Sequence, residues 1–158
     1  MRWQEVVGKL VALLDREPSV EGAFLGGSLV TDAWDELSDI DLGVASGDST
    51  EDLDRAHALR YELAAVVGTP VHVLEKAWAH SRMIAVLYGR SEFPPIGLEV
   101  DLFFSQLQHV SELMPGASFG IVCDRRGRVR EALDRIVASR HLGEIRLELQ
   151  EQMTAFPF

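Results

Sequence analysis

The stretch Phe24-Leu-Gly-Gly-Ser-Leu-Val-Thr-Asp-Ala-Trp-Asp-Glu-Leu-Ser-Asp-Ile-Asp-Leu-Gly43 decides how this chain is read. The apolar run Val20–Leu25 delivers Gly26-Gly27-Ser28, so it reads as a strand entering a tight turn. Leu29–Trp34 has room for one or two helical turns. Ile40–Ala45, with Asp41 inside it, reads as a second strand. Side chains alternate faces along a strand, which puts Asp39 and Asp41 on one side, about 7 Å apart. Two carboxylates so placed are costly unless a positive charge neutralises them. A hard divalent cation does so most simply, and Mg²⁺ takes a few carboxylates together with substrate phosphates. The Gly-Gly-Ser turn suits such a substrate. Glycines let the backbone approach a phosphate, the next helix start aims N–H groups at it, and the Ser28 hydroxyl adds a donor.

A third carboxylate is expected on a neighbouring strand. Leu98-Glu99-Val100-Asp101-Leu102-Phe103-Phe104 supplies it, with Asp101 flanked by apolar residues. A lone buried Asp is rare without a partner. Glu99, two residues earlier on the same face, is the competing candidate.

The rest of the chain alternates helix-like and strand-like segments, the pattern of an α/β or α+β domain. Trp3, Val6, Val7, Leu10, Val11 and Leu14 recur at helical spacing within 2–16. Ser49-Thr50-Glu51-Asp52 resembles a capping box, and Leu53, Ala56, Leu59, Leu63, Val66 and Val67 continue it as one helix to Gly68-Thr69-Pro70. Val71–Leu74, Met83–Tyr88, Leu98–Phe104 and Phe119–Cys123 read as strands, the middle two as sheet neighbours. Residues 75–81 fit no single element, and 105–117 read as an irregular connection. Asp124-Arg125-Arg126-Gly127 is a turn before a helix carrying Val129, Leu133, Ile136 and Val137, and a further helix is expected over about Leu142–Met153. The expected architecture is a short mixed sheet with helices on one side. Residues 1–138 form the domain and 139–158 a helical C-terminal extension.

At this point the pattern resembles the nucleotidyltransferase superfamily of the DNA polymerase β type. Gly27-Ser28, ten residues, Asp39-Ile40-Asp41 and a later Asp101 carry the resemblance. Phe119-Gly-Ile-Val-Cys-Asp-Arg-Arg-Gly-Arg-Val129 is similar to the last strand and turn of its aminoglycoside-nucleotidyltransferase-like branch. The resemblance covers about 19–138 and implies the nucleotidyltransferase fold. It also implies that Asp39 and Asp41 bind two Mg²⁺ ions holding an NTP, and that Asp101 completes the second metal site or acts as general base. Gly26, Gly27 and Ser28 would hold the phosphates, and a nucleoside monophosphate, AMP from ATP, would pass to a hydroxyl of a small molecule. Minimal relatives imply two alternatives, adenylylation of a small helical partner protein or a non-catalytic nucleotide-binding domain; a homodimer could complete the acceptor site. The sequence departs from many relatives in having Leu29-Val30-Thr31 where an Arg soon follows the Gly-Ser. No basic residue lies between Arg16 and Arg55, so Arg82, Arg90 and Arg125 are the candidates for the triphosphate, against ordinary surface roles.

Composition narrows the partners. The 158 residues are 47% hydrophobic and carry a net charge of −10. Residues 1–124 hold 8 basic against 20 acidic side chains, a body that repels nucleic acid and favours a cationic acceptor such as an aminoglycoside-like antibiotic. No apolar run reaches the roughly 20 residues of a membrane span. Cys123 is the only cysteine, which excludes an intrachain disulfide and makes a reducing cytoplasm the default. The five histidines show no metal-ligand spacing and read as structural or surface residues. Trp34 reads as packing or as a base-stacking platform, while Asp32, Asp35 and Glu36 read as an exposed acidic turn.

Overall fold

Ile40, Leu42 and Val44 alternate with Asp41, Gly43 and Ala45 along strand β2 (Ile40–Ser46), and that alternation organises the molecule. The computed structural model describes residues 3–30, 38–113 and 119–136. Around β2 lie β1 (Val20–Gly26), β3 (Pro70–Ala77), β4 (Ser81–Tyr88), β5 (Leu98–Gln106) and β6 (Gly120–Asp124). They form one six-stranded sheet in the order β3-β4-β5-β2-β1-β6. Only β2 and β5 run parallel; the other pairs are antiparallel. This is the mixed α/β architecture of the nucleotidyltransferase fold that the sequence leads one to expect.

The even-numbered face of β2 meets helices α1 (Trp3–Leu14), α2 (Thr50–Ala58) and α3 (Arg60–Val67). Leu10, Leu14, Leu53 and Leu63 pack there against Ile40, Leu42, Ile84, Leu102 and Phe104, all essentially inaccessible to water. Each such side chain is worth about 1.5–3 kcal/mol of transfer free energy.

The other face is covered as well, so the expectation of helices on one side is corrected. Phe24 and Ala45 form a second core with Leu107 and Val110 of a 3₁₀ turn (Leu107–Glu112), and with Val129 and Leu133 of α4 (residues 128–136). Asp124 caps α4 by accepting from the backbone N–H groups of Val129 and Arg130, at 3.3 and 2.9 Å. Glu21, buried on β1, is clamped by Arg126 and by Arg128, whose Nη1 stands 3.3 Å from Oε1. Arg128 also donates to Asp48 beyond β2 at 2.9 Å. Among the described residues, this second layer packs over Phe24 and Ala45.

Several elements match the sequence reading. Ser49 Oγ accepts from the Asp52 N–H at 3.0 Å, the cap expected of α2. The single helix expected through 53–67 is divided at Leu59. There Arg60 Nη1 donates to the His57 carbonyl at 3.2 Å, and the Leu59 N–H closes a tighter bond to Ala56 O at 3.2 Å. Residues 75–81 resolve into the end of β3 and a hairpin turn, in which the Trp78 N–H donates to Ser81 O at 2.9 Å. Residues 105–117 are more regular than expected at their start, where β5 runs to Gln106 before the 3₁₀ turn. No helix among the described residues is long and apolar enough to cross a membrane. The helix expected over Leu142–Met153 and the 139–158 extension lie outside the described residues.

Gly43 shows how tightly β2 is built. A Cβ added there would overlap the ring of Phe24, its cross-strand partner on β1. Gly43→Ala is therefore expected to destabilise the fold by about 1–3 kcal/mol. In a urea denaturation cycle Phe24→Leu should recover part of that loss, a non-additivity that independent sites would not show.

Candidate active site

Directly opposed residues on neighbouring strands share a face, so the register reads as rows across the sheet. One row runs Gly26–Asp41–Asp101–Ala85–Leu74 over β1, β2, β5, β4 and β3. The next row toward the strand ends holds Glu99, Leu87 and His72. Asp39 precedes β2 at that same end and is exposed, whereas Asp41, Glu99 and Asp101 are half-buried. Four carboxylates thus occupy one corner of this face, where β1 and β4 finish and β2 and β5 begin. The parallel register sets Asp41 beside Asp101, and Glu99 lies one row further out.

Gly27 opens the turn after β1 with φ +66°, a conformation that suits glycine. A Cβ there would also overlap Asp41 Oδ2, so the turn lies against the carboxylate itself. Gly26 is the cross-strand partner of Asp41. The turn continues as a 3₁₀ segment, Gly27–Val30. The Ser28 side chain lies outside the described side chains, and Trp34, Asp32, Asp35 and Glu36 lie outside the described residues.

The electrostatics follow from this crowding. Burial, then Glu99, Asp41 and Asp39, push the Asp101 carboxyl up to about 7. Burial and Asp39 also raise Asp41, while a hydrogen bond with Asp101 works in the opposite direction. Asp101 Oδ1 is buried without a hydrogen-bond partner. The candidate arginines are mostly committed elsewhere. Arg82 donates to Trp78 O and Ser81 O, at 2.8 and 2.9 Å, at the opposite end of β4. Arg125 donates to the carbonyls of Leu14 and Asp15 at the far end of β1. Strand order, which the sequence alone does not supply, removes both from the site. Arg90, two residues beyond β4, is on the acidic end.

These residues fit a divalent cation in chemistry: hard oxygen donors, a buried oxygen lacking a partner, and a glycine turn able to admit phosphate beside them. They do not close a cage by themselves. No group of three or more Asp, Glu, His or Cys among the described residues stands in metal-holding geometry. Mg²⁺ keeps waters and substrate oxygens in its shell, so two protein carboxylates suffice as a seat. Burial raises the Cys123 thiol, which argues against a nucleophile there. His80 and His109 stack with ring centres 3.8 Å apart, a pairing that no spacing in the sequence signals.

Sequence reasoning also missed a cavity of about 300 Å³ at this end, lined by Ser38, Asp39, Val71, Leu87, Ile96 and Glu99 among others. The exposed aliphatics of β3 and β4 were its only trace, and they are visible as a group only once those strands are paired.

The model of a family described as nucleotidyltransferase domain matches residues 8–91, which include β1, the glycine turn and β2. No curated protein matches.

Two outcomes follow from the geometry. Folded Asp101 holds its proton up to about pH 7, against 3.8 for the ordinary carboxyl, so stability falls as pH rises through that window. Asp101→Asn should therefore exceed the wild type by about 2 kcal/mol at pH 8 in denaturant titrations without metal, with the gap closing toward pH 4. Gly27→Ala should cost about 1–3 kcal/mol through backbone strain and displacement of Asp41, measured the same way.

Proposed function

The chain belongs to the nucleotidyltransferase domain family, and from that premise we propose that it transfers AMP from ATP to a hydroxyl of a small cationic molecule. The observation that supports this reading is the row Gly26–Asp41–Asp101, which sets a glycine turn and two carboxylates side by side.

Asp39 and Asp41 would hold Mg²⁺, with Asp101 completing a second position. When bound, the ions supply charge neutralisation for the triphosphate and for the oxygens entering and leaving phosphorus. Gly26 and Gly27 admit the β- and γ-phosphates against the backbone, with Ser28 adding its hydroxyl. Asp101 faces the side from which the acceptor comes. In place of completing that second position, the Asp101 carboxylate could instead take the acceptor proton as general base. The acceptor oxygen bonds to the α-phosphorus, the bond from that phosphorus to the bridging oxygen breaks, and pyrophosphate leaves. Positioning does most of the work, since the protein forms no covalent bond itself.

On net charge alone the acidic body favours a cationic acceptor, a class that includes an aminoglycoside-like antibiotic modified in the cytoplasm as a resistance function. A second reading makes the acceptor a hydroxyl of a small helical partner protein. The exposed aliphatics Val71 and Ile96 beside the acids support it.

Calorimetric titration of ATP tests the transfer reading. Binding should require Mg²⁺, and Asp39→Asn/Asp41→Asn should weaken it by about a hundredfold or more, the scale of removing charged ligands from a metal site. Failure of the wild type to bind any NTP with any divalent metal would overturn it.

A further inference from the structure

The cavity at the acidic end is not explained by phosphate or metal binding. Its volume is about 300 Å³, and it lies at the ends of β2, β3, β4 and β5, with the loop of residues 89–97 as one wall. Its aliphatic walls are unusually wet for their chemistry: Val71 is 67% exposed, Ile96 65% and Leu87 38%. Its polar rim includes Asp39 and Glu99. Leu87 is the direct cross-strand partner of Glu99, so apolar wall and carboxylate adjoin on one face.

Topology fixes which substrate can reach it, given the transfer reading on which this inference rests. Asp41 has the glycine turn on its β1 side and Asp101 on its β5 side. With the triphosphate lying toward Gly27, pyrophosphate departs toward β1. In-line displacement requires the attacking oxygen to come from the opposite side. That is the side of β5, β4 and β3, where the cavity opens. The nucleotide tail and the cavity therefore lie on opposite sides of Asp41.

We propose that this cavity is the acceptor subsite, and that it selects an acceptor pairing an apolar body with a basic amine near the reacting hydroxyl. Val71, Leu87 and Ile96 take the apolar body, and Glu99 takes the ammonium group. Aliphatic walls gain nothing from an all-polar polycation, because removing its polar groups from water is unfavourable without partners. An ammonium group on Glu99 also screens the repulsion between Glu99 and Asp101. The small volume favours a small molecule over a protein segment, which would lie across the wider β3–β4 face.

Methyl NMR of the full chain reads the cavity directly, without turnover. The probes are phenylserinol (ring, amine and hydroxyls), its neutral counterpart phenylglycerol, and the all-polar amine deoxystreptamine. A Mg²⁺ complex of an ATP analogue with a methylene between the α- and β-phosphorus is titrated in parallel. Phenylserinol should shift the methyls of Val71, Leu87 and Ile96 and bind more tightly than either other probe. Ile96→Ser and Leu87→Gln alter exposed side chains and should each weaken it by about tenfold, the cost of losing most of one aliphatic contact. Glu99→Gln should weaken phenylserinol by about five- to tenfold and leave phenylglycerol unchanged. Deoxystreptamine binding as tightly as phenylserinol would overturn the proposal. So would shifts of the three methyls by the ATP analogue, which would make the cavity a nucleobase pocket, or no shift with any amine. Amine binding in the cavity with no nucleotide binding anywhere would instead overturn the transfer reading and leave the cavity an amine site. Nucleotide binding with a silent cavity would overturn the cavity proposal alone.

Discussion

The parallel pairing of β2 with β5 is the constraint on which the rest of the molecule turns. It is the only parallel pair in the sheet, and it sets Asp41 against Asp101. The same ladder presents Leu42 and Leu102, and Val44 and Phe104, to the helical layer one residue further along. Side chains alternate, so the carboxylates on one face cannot move by one residue without driving Ile40, Leu42 and Val44 out of the core on the other. Hydrophobic burial thus holds together charges that repel one another. The electrostatic cost at the acids is met by packing on the opposite side of the strand, with the hydrogen bond between Asp41 and Asp101 offsetting part of it within the site.

The second layer packs on the sheet beyond the acids. Phe24, lying over Gly43, and the 3₁₀ turn after β5 fill the face beyond the acids, and α4 is pinned there by its Asp124 cap and by the arginines around Glu21. These contacts lie away from the Asp41 end of the strands. The acids consequently lie between a closed apolar core and an open apolar cavity. Ionised carboxylates there are only partly hydrated, which accounts for the rise at Asp101 and Asp41.

Much of this fold is legible in the sequence because its signals are local. Alternation marks β2 and β5, glycines mark the turn after β1, and Ser49 marks the start of α2. The likeness to nucleotidyltransferases is carried by the same local signals and agrees with the family match. The parts that were not legible depend on which elements meet. Alternation along β2 says that two faces differ but not that both are covered, so the layer built from α4 and the 3₁₀ turn goes unseen. The destinations of Arg82 and Arg125 depend on strand order. The break at Leu59 depends on a side chain capturing a carbonyl three residues back. In the candidate site, the acids and glycines stand out by residue type, whereas Val71, Leu87 and Ile96 look like any other aliphatics until β3 and β4 are paired and the 89–97 loop is placed beside them.

The long connection between β2 and β5 has a consequence for how the molecule comes into being. Two helices and two strands intervene between Asp41 and Asp101, so the pair meets only after a large loop has closed. Such closure is slow, because chain entropy is lost before the distant contacts form. While the chain is being synthesised, β1 and β2 can form their hairpin with the glycine turn and Asp41 in place, but the paired carboxylates do not yet exist. The corner of greatest mutual repulsion is assembled only when β5 docks between β4 and β2, both of which precede it in the chain. A folding intermediate lacking β5 would carry half of the site, with Asp39 near Asp41 but without Asp101 and Glu99.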